Sequence, residues 1–484
     1  MLAIILGLLT VLAPLWNGAW DLWAQSLLLL TALGAASLWL CGRLLAGSVP
    51  LPSRGLLVWC AGLAAWSGLA ARAGPLPAYA IPAWHVWLAA LGIVLAMSVM
   101  PEGQRRLLDR GIRAAAWIMV LLAVYQHFAF SVERPFASLL NQNVFAGAIL
   151  LFLPLAVEQR DWPLAAGLLL CLVWTRSLGA WLGLAAALVL LRRGRLWTAG
   201  GAGAGCVCLA LLTLKLGTPE AFNRWYWWEA AARMSWDRPW FGFGPGTYAY
   251  ALPAYVAADR PLGSAFAHQH FLETAAELGW PFLLAWLGGL VLILRQGPSS
   301  KRLGLLAVLV QSLWDYTLSL PALLWLFCCH AGYCLPESGR AAAVPARWRL
   351  AGCLLVLAAS GWAGDGLWQR WQADRERAQG EELVRSSGPG PAALELLERS
   401  ARRCDHPETA RLSGLIEAAL AKEPGGAGRL SAAVADMERA AAQNPFRPST
   451  WTMLEALYRQ IGREDLARDA RRRGAAALPS LRQP

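Results

Sequence analysis

The chain has 484 residues, of which 57% are hydrophobic and only 15% charged, with a formal net charge of +12. Soluble domains carry about 25% charged residues, so this balance excludes an ordinary soluble globular protein and indicates a multi-span membrane one. From Arg370 onward 19 Lys/Arg meet 16 Asp/Glu. Most of the positive excess therefore lies at short loops between apolar runs, where it reads as an orientation signal and not as a nucleic-acid surface.

The first apolar run, Met1 to Trp16, has no preceding Lys or Arg and no convincing cleavage site, and is expected as a retained span. Further spans are expected over about 22–42, 56–71, 83–100, 114–130 and 142–157. Arg43 and Arg54 lie in the loop 43–55, and Arg105, Arg106, Arg110 and Arg113 in the loop 101–113. A cytoplasmic N-terminus puts both loops inside, and leaves 17–21, 72–82 and 131–141 external.

The run Trp162–Leu191 has 30 residues, about 45 Å as one helix against a hydrocarbon core of about 30 Å. Two short crossings meeting near Arg176, at the external mouth, fit better, because they return Arg192, Arg193 and Arg195 to the cytoplasm. Their junction then needs a water-filled or protein-lined recess. A span over about 196–216 leads out to a long non-spanning stretch, about 217–280. Spans follow at about 281–295, 303–317 and 321–335. A last one, about 350–367, carries the tail to the outside. The expected architecture is an all-α polytopic bundle of 12–13 transmembrane helices over residues 1–367, with a large external loop, followed by a helical domain over 368–484.

Ten cysteines include no CxxC, and only Cys404 stands in the polar tail, so neither a disulfide framework nor a zinc site is indicated. The tail is rich in Ala, Leu, Arg and Glu with helical periodicity. Leu397-Glu398-Arg399-Ser400-Ala401 and Met437-Glu438-Arg439-Ala440-Ala441 each lead to a proline-bearing turn, the second followed by Trp451, Leu454, Tyr458, Gly462 and Ala467. This resembles tetratricopeptide repeats, with an ordinary helical hairpin as the simpler reading.

Chemistry concentrates in the large loop. Arg224-Trp225-Tyr226-Trp227-Trp228 opens a stretch suited to an amphipathic helix lying on a membrane. Asp237-Arg238-Pro239 then leads to the turn cluster Gly242-Phe243-Gly244-Pro245-Gly246. No strand precedes this cluster, so a nucleotide-binding reading is rejected. Two of the six histidines, His268 and His270, close the loop, with Glu273 and Glu277 downstream. Ionisable groups at a bilayer edge mark function, although helix-anchoring polar residues would look the same.

The order Arg224, Asp237-Arg238-Pro239, Gly242-Phe243-Gly244-Pro245-Gly246-Thr247-Tyr248, Ala267-His268-Gln269-His270-Phe271-Leu272, Glu277-Leu278-Gly279 resembles the O-antigen ligase/polymerase family. Gln269 stands where Asn is usual. Asn141-Gln142-Asn143-Val144-Phe145-Ala146-Gly147 is similar to the family's entry to a span, and Thr175-Arg176-Ser177-Leu178-Gly179-Ala180 to its Thr-x-Ser-Arg-Gly-Ala motif. The family arginine aligns with Leu178. Two residues turn a helix by about 200°, so Arg176 replaces it only if the chain bends there. The resemblance covers roughly residues 1–335 and not the tail.

The resemblance implies a GT-C-like bundle in the bacterial cytoplasmic membrane, with its main loop periplasmic. It implies an inverting glycosyltransferase that uses no metal or other cofactor. The donor would be a glycan on undecaprenyl diphosphate. The acceptor would be lipid A–core, another glycan or a protein, the last making it a protein O-oligosaccharyltransferase. His268 would activate the acceptor hydroxyl, and Arg224 and Arg176 would stabilise the leaving diphosphate. Asn141, Asn143, His270, Arg238 and Glu277 are candidate substrate-binding residues, Glu277 with a structural role as its competing reading. The tail is expected outside, where its repeats would hold a protein partner. A lipid-linked-glycan transporter or flippase is the rival function, and it calls for inverted internal repeats.

Overall fold

The structure, a computed structural model, describes residues 1–191, 203, 205, 219–256, 263–424 and 428–478. Among these the chain is helical apart from one antiparallel two-stranded ribbon, Ser48–Pro50 (β1) with Ala341–Ala343 (β2). Five helices are long and apolar enough to cross a bilayer: Leu22–Leu45 (α2), Arg54–Ala73 (α3), Pro77–Ser98 (α4), His270–Leu294 (α10) and Ala346–Ser387 (α13). Shorter apolar helices are Leu2–Leu15 (α1), Gln142–Glu158 (α6), Trp162–Thr175 (α7) and Leu178–Leu191 (α8). Glu102–Ala129 (α5), Ser299–Gln311 (α11) and Pro321–Tyr333 (α12) complete the bundle, and Pro219–Asp237 (α9) belongs to the large loop. The chain is a polytopic membrane helix bundle.

The 30-residue apolar run does divide in two. Helix α7 stops at Thr175, Arg176 takes a left-handed conformation (φ 50°), and α8 restarts at Leu178. The second half packs tightly against α11. Gly183 in α8 lies against the Ala307 carbonyl of α11, where any side chain would collide. Gly179 lies against Gln311. The junction therefore sits at the same end of the bundle as the turn after α11. Three expectations are corrected. The loop expected over 101–113 is the first part of α5, where Arg105 is buried and donates to the Met97 and Met100 carbonyls. The span expected over 303–317 ends at Gln311, and 312–320 is an irregular connection with one 3-10 turn, Thr317–Ser319. Its polar Ser312, Asp315 and Thr317 are buried there, which favours a path closed by local turns, and Pro321 restarts the helix at a position that needs no N–H donor. The helix expected from about 281 begins at His270, inside the stretch expected not to span. The span expected over about 196–216 lies outside the described residues.

The bundle has two distinct ends. The end with the β1–β2 ribbon carries Arg54, Arg106, Arg110, Arg295, Arg302 and Arg340 beside the helix termini. The opposite end carries the large loop and the connections 16–21, 130–141 and 312–320.

Helix α13 has 42 residues, about 63 Å, twice the thickness of a hydrocarbon core. Its first half lies along α2, where Ser37 and Ser360 hydrogen-bond through their hydroxyls at 2.6 Å. Its second half leaves the bundle and carries the tail helices Pro391–Arg403 (α14), Pro407–Leu420 (α15), Arg429–Gln443 (α16), Pro448–Gln460 (α17) and Glu464–Ala477 (α18). These bury Leu397 and Ile416 in one cluster and Met437, Trp451 and Leu454 in another. The tail folds back onto the loop end of the bundle. The Tyr79 hydroxyl donates to Glu408 Oε1 at 3.0 Å, and the Phe446 ring meets Phe243 with centroids 5.9 Å apart.

Candidate functional site

The site is built on a broken helix. In α10, Gly279 has φ 80° and ψ 163°, and Pro281 follows two residues later. Proline has no N–H for the Glu277 carbonyl four residues back. The turn cluster supplies what is missing. The Phe243 amide donates to the Ala276 carbonyl at 2.9 Å, and the Gly244 amide to the Glu277 carbonyl at 2.8 Å. In return the Trp280 amide donates to the Pro239 carbonyl at 2.9 Å. Backbone thus lies directly on backbone, which is why glycine stands at 242 and 279: a Cβ at either would collide with the other strand of chain.

Glu277 locks the same joint. Its Oε2 accepts the Gly246 amide at 2.7 Å and its Oε1 the Tyr248 amide at 2.9 Å. Both oxygens therefore hold the turn cluster. Glu273 does the same one turn earlier, accepting the Ala267 amide at 2.7 Å. Gln269, in place of the usual Asn, still caps α10 by accepting the Leu272 amide at 2.6 Å.

These contacts fix the position of His268. It has φ 54°, a left-handed conformation uncommon outside glycine, at the mouth of α10. The Trp228 indole donates to its carbonyl at 3.2 Å. Its ring stacks on Trp227 at 4.8 Å and meets the edge of Tyr316 at 4.8 Å. Nδ1 is buried, has no hydrogen-bond partner among the described residues, and lies 4.0 Å from Asp315 Oδ1. Burial, with Arg224 adding to it, pushes the imidazole pKa down to about 3. The Asp315 carboxylate works in the opposite sense, favouring the imidazolium. The ring is neutral at pH 7, with Nδ1 turned towards a carboxylate and Nε2 left for a hydroxyl.

Arg224 reaches the same corner, donating from NH1 to the Trp314 carbonyl at 2.7 Å. Helix α9 carries it there, burying Ala230, Ala231 and Met234. On α9, Trp225 and Trp236 are 65% and 71% exposed. Eleven residues apart, they fall within about 20° of each other around the helix, so one face of α9 is an exposed aromatic stripe, as an interfacial helix requires.

The other candidates are placed as follows. Arg176 lies in the bend between α7 and α8, exposed, 3.6 Å from Glu133. Asn141 caps α6, accepting the Asn143 amide at 2.7 Å. Asn143 is buried, and its carbonyl accepts from Gln311 Nε2 at 2.8 Å. His270 is buried with Nδ1 3.2 Å from the Ser319 hydroxyl and Nε2 3.4 Å from that of Thr274, while its amide donates to the Ser312 carbonyl. Arg238 lies just past the far end of α9, about 20 Å along the chain's helix from Arg224, over the Phe243 ring at 5.1 Å.

His268, Arg224 and Asp315 are thus brought together, and Arg238 is held apart from them. In the sequence Asp315 stands out only as an acidic residue ending an apolar run near the external side, a signal that assigns it no role in the site.

Residues 163–287 match the family model described as O-Antigen ligase. That segment contains α8, α9, the turn cluster, His268 and the broken start of α10. No curated protein matches the chain.

Proposed function

We propose that the chain transfers a glycan from undecaprenyl diphosphate to an acceptor hydroxyl at the outer face of the bacterial cytoplasmic membrane. The O-antigen ligase-type match within a polytopic helix bundle supports glycosyltransferase chemistry in general. The observation that carries this reading is the convergence of a neutral, half-buried imidazole (His268), a carboxylate behind it (Asp315) and a guanidinium (Arg224) at one end of the bundle. Arginines gathered at the opposite end, in and beside the helix termini there, support this orientation through the preference of such residues for the cytoplasmic side.

The reaction is one displacement at the anomeric carbon. The acceptor oxygen bonds to that carbon as the carbon–oxygen bond to the diphosphate breaks, and the electron pair leaves with undecaprenyl diphosphate. The acceptor proton passes to His268 Nε2, with Asp315 stabilising the imidazolium that forms. Attack opposite the leaving group inverts the anomeric configuration. The growing negative charge on the diphosphate meets Arg224, joined by Arg176 from the bend between α7 and α8, and guanidinium supplies the stabilising charge without a metal. The exposed aromatic stripe of α9 suits a membrane surface, where a lipid-linked donor would arrive.

His268→Ala tests the assignment against a transporter. In the transferase, the variant binds donor as before and loses turnover by about 10²–10⁴-fold. Unchanged donor translocation across liposomes, with no transfer by wild type to any lipid, glycan or protein acceptor, would replace the transferase with a flippase.

A further inference from the structure

The tail helps to build a cavity. A space of about 460 Å³ lies between the loop end of the bundle and the tail, within the range of small-molecule sites. The bundle side includes Trp20, Tyr79, Tyr250 and Phe266, and the tail side Arg370, Cys404 and His406. Tyr79 and Tyr250 stack on each other at 3.7 Å. His406 Nδ1 accepts the Glu408 amide at 3.2 Å, which leaves Nε2 to carry the proton as a donor.

The charges around this space are matched with one exception. Glu273 and Glu277 are engaged by backbone amides. Glu408 is engaged by Tyr79, Arg411 and Arg447, and Asp374 pairs with Arg377. Arg370 has no carboxylate partner among the described residues. Its NH1 lies 3.9 Å from the Cys404 sulfur. Aromatic faces, a neutral donor and one unneutralised guanidinium suit a sugar that bears an anionic group.

Two packed aromatic rings separate the cavity from His268. Phe266 lines the cavity and stacks on Tyr316 at 4.2 Å, and Tyr316 in turn meets the His268 ring. Arg224 and the exposed aromatic face of α9, which do not line this cavity, belong to the part of the site assigned to the lipid-linked donor. We infer that this cavity is the acceptor subsite, that it takes a saccharide carrying a carboxylate or phosphate, and that Arg370 in the extension of α13 reads that anion. The inference rests on the transferase reading for the word acceptor. The tail is then part of the substrate site.

The test uses the full chain in lipid nanodiscs without donor. Three labelled oligosaccharides are titrated: one ending in a glucuronic acid, one in a sugar phosphate, and a neutral glucose counterpart. At least one anionic probe is expected to bind about tenfold more tightly than the neutral one, in the range of a charge-assisted contact, and comparison of the two separates carboxylate from phosphate. Arg370→Gln abolishes that preference. Bound probe slows alkylation of Cys404 in wild type, followed by peptide mass spectrometry, a readout that needs no variant to fold. Equal binding of all three probes, a preference that survives Arg370→Gln, or no protection of Cys404 overturns the inference. With donor added, Arg370→Gln raises the acceptor KM and leaves the donor KM unchanged. Anion-selective binding without any glycan transfer would sink the transferase and leave the saccharide subsite standing.

Discussion

His268 Nδ1 lies 4.0 Å from Asp315 Oδ1, although the two residues belong to different connections at the loop end of the bundle. The separation is beyond a hydrogen bond and within reach of a small ring rotation once an acceptor hydroxyl occupies Nε2. A carboxylate so placed orients the imidazole and stabilises its protonated form as the hydroxyl gives up its proton. Asp315→Asn keeps the shape and removes the charge. It is expected to lower kcat by about 10²-fold with the acceptor KM nearly unchanged. An unchanged kcat in a folded variant would remove Asp315 from the mechanism.

Glu277 holds the amides of Gly246 and Tyr248 with separate oxygens. A glutamine offers one carbonyl and opposes the second amide with its own N–H groups. Glu277→Gln is therefore expected to destabilise the protein by about 2–3 kcal/mol and to loosen the turn cluster. Hydrogen exchange at residues 243–248 should rise. If Glu277→Gln abolished substrate binding while leaving stability and exchange untouched, Glu277 would be a ligand-binding residue instead.

Gly279 combines φ 80° with ψ 163°, a region open almost only to glycine. Gly279→Ala is expected to cost about 1–3 kcal/mol from the backbone alone, with the collision against the Trp240 carbonyl in addition. A thermal melt equal to that of wild type would show that the break in α10 is not required for folding.

Two histidines outside the spans make stability depend on pH. Burial and Arg224 push His268 down to about 3, and burial, then Arg377, push His406 down to about 4. Both are neutral when folded, whereas an unfolded histidine takes up a proton below about 6.5. The stabilisation they give is complete above that value and is lost as pH falls towards 4 and then 3. His406 packs on the edge of Tyr79 beside Arg370, Arg377 and Glu408, so the docked tail should loosen first. Protection of the α15 amides is expected to fall between pH 6.5 and 4, less steeply in His406→Asn. Protection that is constant over that range in wild type would contradict this. For the reaction, a neutral His268 predicts no acid limb near pH 6.5 in kcat/KM.

Much of the bundle was legible in the sequence, because length and charge are strong constraints in a membrane. A 30-residue apolar run is too long for one crossing, and the break at Arg176 follows from that arithmetic. At that bend the Arg176 guanidinium is exposed and lies 3.6 Å from Glu133. The motif residues Arg224 and His268 were identifiable by pattern, and the structure brings them to one corner. Asp315 was not, since nothing local ties it to a histidine 47 positions earlier. Glu277 reaches back 31 residues to the turn cluster, a pairing that only the fold-back of the loop creates. The tail was visible as helical, but its docking on Tyr79 depends on how far α13 projects, which hydropathy leaves open because the polar half of that helix carries no span signal.

The most direct measurement is a coupled assay on purified protein supplied with undecaprenyl-diphosphate-linked glycan and candidate acceptors. The account predicts one undecaprenyl diphosphate released for each glycan joined to the acceptor, with both products lost in His268→Ala and Arg224→Ala. Transfer that persists in both folded variants, or movement of intact donor across the bilayer with no diphosphate released, would contradict it.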